Sequence, residues 1–264
     1  MIRVPAAIVS RRAQLLRWLR TTLIISILPV WTVVAVFVIG GMLAGAILYG
    51  STAQLGASVD PDAAVIQTTM SLLVYLIGMG ILLIEPYAIR RLSRHATATL
   101  LGVARRPMRR DIAMTFLAWA GYFMLTAVVF VVISLIVPTI DDQAQQIGFS
   151  TDGPLLDKLF AFVAIVVAAP VVEEVVFRGY LYGSLRRHLP WWLAAGIASA
   201  LFGVVHGQWN VGIDVAILSM IACYLRERTG AIWSGIGLHM LKNSIAYYLL
   251  FWAPPWVMHM LSST

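Results

Sequence analysis

Residues 112–137 read IAMTFLAWAGYFMLTAVVFVVISLIV, an unbroken run with no charged side chain. A bilayer core about 30 Å thick is crossed by about 20 apolar residues in a helix rising about 1.5 Å per residue. The run is long enough to cross. It is too long, and too evenly apolar, for a barrel strand of about 9–11 residues with alternating polarity. It therefore predicts a transmembrane helix. The whole composition agrees: of 264 residues, 60% are hydrophobic and 12% are charged, and mean hydropathy is +0.86. Ordinary soluble domains are about 25% charged. Too little charge remains to cover a soluble surface, which excludes a soluble globular enzyme, a disordered chain and a disulfide scaffold. Cys223 is the only cysteine and cannot form an internal disulfide.

Working outward, similar apolar runs predict a first helix over 23–49, kinked at Pro29, and a second over 63–89. After 112–137 come helices over 158–186, 190–208, a short one over 213–225, and 231–251. Residues 252–261 allow a partial eighth. The fold class is thus an all-α polytopic bundle of about seven or eight spans. The net charge of +7 comes from 17 Arg and 2 Lys against 12 acids. Alternating sides, the N-terminus and the loops after helices two, four and six hold sixteen of the basic residues. The other side holds Lys158 and six Asp. This asymmetry orients the N-terminus to the cytoplasm and accounts for the basic pI without nucleic acid. The first run exceeds a signal-peptide core and is read as retained, in preference to an organellar transit peptide. Short loops favour a bacterial inner or plasma membrane. The polar loop at 138–157 divides a 1–150 membrane region of three helices with basic loops from a 151–264 membrane region, which holds most of the intramembrane polar residues.

Ionisable residues inside a span are costly and usually functional. Helix four carries Glu173-Glu174-Val-Val-Phe-Arg178. Adjacent helical positions point about 100° apart, so Glu174 and Arg178, four apart, can pair while Glu173 faces elsewhere. A structural ion pair accounts for Glu174 and Arg178 but leaves Glu173 without a role. Helix five carries Phe202-Gly-Val-Val-His206, and helix seven carries His239-Met-Leu-Lys-Asn243. Each alone is as consistent with a packing hydrogen bond. Together they bring a carboxylate, two imidazoles and an amide from three helices. Such a set can activate water and hold an oxyanion. Glu with two His is equally an open zinc site.

Glu-Glu-x-x-x-Arg, Phe-x-x-x-His and His-x-x-x-Asn, in this order on successive apolar segments, resemble the CPBP family of intramembrane proteases. That family comprises CAAX proteases and bacteriocin-processing enzymes, also called Abi proteins, and is related to the type II CAAX prenyl endopeptidases. The resemblance covers about residues 155–250 and implies roles. Glu173 and His206 would activate water, His239 and Asn243 would hold the oxyanion, and Glu174 and Arg178 would support them. It leaves the cofactor open between zinc, held by Glu173, His206 and His239, and none. It implies a membrane-associated protein or peptide substrate in the bilayer. One tension is depth. Glu173 and His206 lie about 22–24 Å from the cytoplasmic helix ends, and His239 only about 12 Å.

Of the remaining polar residues, Lys242 is expected to snorkel to the cytoplasmic side rather than pair with a carboxylate. Glu85 is expected to reach the interface, and Asp214 to sit at a helix end. His95, His188 and His259 receive no role. The competing functions are a proton- or ion-coupled transporter and a non-catalytic membrane scaffold.

Overall fold

A computed structural model describes residues 6–54, 64–136 and 153–253. Every regular element among them is helical: α1 (Ala6–Gln54), α2 (Ala64–Ile84), α3 (Arg94–Leu101), α4 (Arg109–Ile136), α5 (Leu155–Leu185), α6 (Trp191–Val204), α7 (Trp209–Thr229) and α8 (Trp233–Phe251). Five segments are long and apolar enough to cross a membrane: Leu28–Ser51, Val65–Ile89, Arg109–Ile136, Leu155–Leu185 and Trp209–Thr229. The two other expected spans are α6, apolar but only 14 residues, and the 19-residue α8 with its polar stripe. The chain is an all-α membrane bundle. The partial eighth helix falls mostly outside the described residues, as do His259 and the expected boundary near 150.

Several expectations are corrected. The sixth span is not short: α7 has 21 residues, because Asp214 lies inside the helix with its charge neutralised. Helix five stops at Val204, four residues early, so His206 sits in the turn beyond it. The basic loop after helix two contains α3. Ser93 caps its start, its hydroxyl accepting from the Ala96 N–H, and Gly102 ends it at φ +71°. Glu85, expected to reach outward, is buried and ion-paired with Arg90, in a π-helical turn that extends α2.

Helices in lipid gain little from the hydrophobic effect and associate through close packing of small residues. Gly179 and Gly183 of α5 make that point. A Cβ on either would come within 2.8 Å of the Leu101 carbonyl or 2.6 Å of the Leu100 carbonyl. Their bare backbone forms the slot that receives the end of α3. Arg226 of α7, itself buried, donates to the Leu100 carbonyl at 2.6 Å and closes that helix end. Gly203 of α6 and Gly212 of α7 meet in the same way, each Cβ position under 3 Å from the other's carbonyl. This contact lets the chain reverse through the His206 turn. One core cluster joins Val33, Val36 and Leu82 of α1 and α2 to Phe177, Tyr180 and Phe202 of α5 and α6. The N-terminal helices therefore share a core with the helices that carry the polar motifs.

Candidate functional site

Helix α5 is not uniformly α-helical. It widens into π-helix over Val163–Ala168 and again over Glu174–Leu181. Such insertions are frequent at functional sites. The second carries Glu174 and Arg178. Arg178 Nη1 lies 3.1 Å from Glu174 Oε1, and both side chains are fully buried. The guanidinium also stacks 4.2 Å above the Phe202 ring. Phe202 meets Phe177 edge to face at 4.8 Å, a pairing worth about 0.5–1.5 kcal/mol. The first motif is thus anchored to the second by a cation–π contact.

His239 of α8 stands between the two carboxylates. Its Nδ1 is 3.3 Å from Glu174 Oε1, and its Nε2 is 3.8 Å from Glu173 Oε2. A neutral imidazole has one donor and one acceptor nitrogen. If Nδ1 donates to Glu174, whose charge Arg178 already holds, the Nε2 lone pair faces Glu173. That 3.8 Å separation is too long for a direct hydrogen bond, and a water beside the pair can reach both groups. Gly235, one turn before His239, makes the approach possible: a Cβ there would lie 2.7 Å from Glu174 Oε2. Glu173 keeps 16% side-chain exposure, whereas Glu174 has none. The helical argument from sequence, a paired Glu174 and a separately directed Glu173, matches this arrangement.

His206 reaches the cluster across Phe202. Its ring lies edge to face against Phe202 at 4.8 Å, and Phe202 lies edge to face against His239 at 5.9 Å. Its Nδ1 is 2.7 Å from the Phe202 carbonyl, which turns Nε2 outward. Asn243, one turn beyond His239, donates to the Ile165 carbonyl at 2.8 Å, in the first π-helical stretch. Its amide group has a second N–H left to offer. The depth tension does not keep the helices apart, since Glu173 and His239 are neighbours. Among the described residues no three His, Cys, Asp or Glu side chains are grouped to hold a metal ion. Glu173, His206 and His239 as arranged do not converge on one point.

Two features escaped the sequence. Helix α2 packs against α5 on either side of Glu173, so the N-terminal helices border the site. Nothing in the α2 sequence marks this packing. The other is a second, half-buried polar group. Lys242 does not snorkel; its Nζ lies 3.4 Å from Asp214 of α7. Asp214 also accepts a hydrogen bond from the Tyr122 hydroxyl of α4. A carboxylate within reach outcompetes the longer path to the membrane surface. Asp214 is correspondingly not an end residue, and the Lys242 and Asp214 charges were the available signal.

Residues 155–245 match the family model described as type II CAAX prenyl endopeptidase Rce1-like. A Bacillus subtilis (strain 168) protein named "Putative membrane peptidase YdiL" is 28% identical over 78 residues, 30% of this chain and 32% of that protein. An Escherichia coli "Uncharacterized 24.3 kDa protein" is 30% identical over 105 residues, 38% of this chain and 48% of the relative. The chain thus spans about a third to a half of the length of the curated relatives it matches. No solved structure matches it. Glu173, Glu174, Arg178, His206, His239 and Asn243 all fall within the matched segment, and over that segment the chain is similar to the type II CAAX prenyl endopeptidase family, as its three motifs imply.

Proposed function

We propose that this protein is an intramembrane endopeptidase that hydrolyses a peptide bond of a membrane-associated protein or peptide. The observation that carries the reading is the pairing at the site. Arg178 neutralises Glu174 and leaves Glu173 partly exposed beside a histidine nitrogen. A water beside the pair donates to Glu173, which takes its proton as the water attacks the carbonyl. The developing oxyanion then needs donors. The second N–H of Asn243 supplies one.

The resemblance assigns His206 to water activation and His239 to the oxyanion. The 3.8 Å contact favours His239 as the nearer partner of Glu173. The two assignments differ in what each histidine does to the kinetics. Purified protein is incubated with a quenched peptide library. Glu173→Gln is expected to lower cleavage about 10²–10⁴-fold, and full activity in that variant would sink the mechanism. Comparing His206→Ala with His239→Ala in kcat then assigns the base partner. Cleavage that is lost on chelation and restored by zinc would replace the metal-free route. The reading also carries an inner or plasma membrane location with a cytoplasmic N-terminus, supported by the charge asymmetry. A proton-coupled transporter would instead move ions across vesicles with no peptide cleaved.

A further inference from the structure

The α4–α8 side carries a second cavity with no part in the chemistry above. It has a volume of about 700 Å³ and is lined by the first two turns of α4 and one face of α8. Its walls are apolar, with Ile112 and Phe116 both more than half exposed. In a membrane bundle these faces meet lipid. Its mouth is different. Arg109 lines it at the first residue of a candidate span, and Trp233 stands opposite at the start of α8. Tryptophan at such a position is a membrane-interface residue.

The charges at this end do not balance. Asp111 is held by both terminal nitrogens of Arg105 at 2.6 Å. Glu227 is held by Arg186 at 2.9 Å and by the Tyr182 hydroxyl. Arg105 and Trp233 are tied together, since the Trp233 ring N–H donates to the Arg105 carbonyl at 2.7 Å. Arg110 reaches the Arg228 carbonyl at 3.5 Å, joining α4 to the end of α7. The acids are thus taken, and the exposed Arg106, Arg109, Arg110 and Arg228 have no carboxylate partner among the described residues. A cation cluster at a span end beside an apolar slot matches the two chemistries of an anionic phospholipid, a phosphate and an acyl chain.

We propose that this cleft binds an anionic phospholipid, with the headgroup phosphate at Arg109 and Arg106 and an acyl chain along Ile112 and Phe116. The full chain, reconstituted in vesicles of equal parts phosphatidylcholine and phosphatidylglycerol and then extracted, is examined by native mass spectrometry for retained lipid. The expected result is phosphatidylglycerol enriched over its vesicle proportion. Arg106→Gln and Arg109→Gln are each expected to cut the enrichment about fivefold. Ile112→Trp, which narrows the slot and leaves every arginine in place, is expected to lower it as well. These side chains are exposed, so the variants keep the fold. Retention of the two lipids in vesicle proportion would overturn the proposal, as would enrichment unchanged in both arginine variants. So would displacement of the lipid by an acidic peptide that binds the same arginines more tightly, which would make the partner a polypeptide.

Discussion

Glu173 and Glu174 are neighbours in sequence and have opposite fates. Glu174 is fully buried against Arg178, and Glu173 is the one left to face His239. Removing one partner of a buried ion pair leaves the other charged and unpaired, at about 3–5 kcal/mol. Arg178→Met is therefore expected to lower the unfolding midpoint strongly in detergent, and it also removes the cation stacked on Phe202. Glu173→Gln leaves that pair intact and is expected to lower cleavage about 10²–10⁴-fold with little change in stability. A thermal or denaturant melt of both variants beside the cleavage assay separates the two roles. Equal destabilisation by both would contradict the division. Gly235 belongs at this scale too. Gly235→Ala puts a methyl group 2.7 Å from Glu174 Oε2, so the carboxylate must shift away from His239. Activity is expected to fall while the helix, which prefers Ala to Gly, is retained.

The element that orders the basic side of the molecule is α3. It has only eight residues, too few for stability on its own. It persists because α5 offers Gly179 and Gly183, and because Arg226 closes its carbonyl end. Gly183→Ala drives a Cβ to 2.6 Å from a backbone oxygen, which cannot rotate away. The expected outcome is a loss of about 1–3 kcal/mol and faster amide exchange over residues 94–101. Unchanged exchange there would show that α3 does not depend on the slot. The signals for α3, Ser93 and Gly102, are present in the sequence, but seven arginines nearby read more readily as an orienting loop. In α5 the π-helical stretches are invisible to periodicity, because one extra residue in a turn leaves the apolar run unbroken. They nevertheless free the Ile165 carbonyl that Asn243 binds.

For the whole molecule, charge asymmetry predicts which side each loop faces. Cys223 is buried, so single cysteines can be introduced without removing it. A cysteine at Arg106 is expected to react with an impermeant thiol reagent only from the cytoplasmic side, and one at Lys158 only from the opposite side. The reverse labelling would invert the topology. Asp214, Tyr122 and Lys242 link α7, α4 and α8 beside the site. Lys242→Met leaves Asp214 without its cation and is expected to lower stability more than Lys242→Arg does, as read by the same melts.

Much of this molecule follows from one-dimensional quantities. Run length and charge content determined a helical membrane bundle, because lipid tolerates few other ways of satisfying backbone polar groups. Order and spacing on three apolar segments determined which six residues belong to the candidate site. Contacts between segments distant in sequence were decided only by the tertiary structure. It selected His239 rather than His206 as the neighbour of Glu173, drew Lys242 to Asp214, packed α2 beside the site and seated α3 against two glycines. Helical spacing says which residues share a face. Which face meets which partner depends on packing distances and on the absence of a Cβ at Gly235, Gly179 and Gly183.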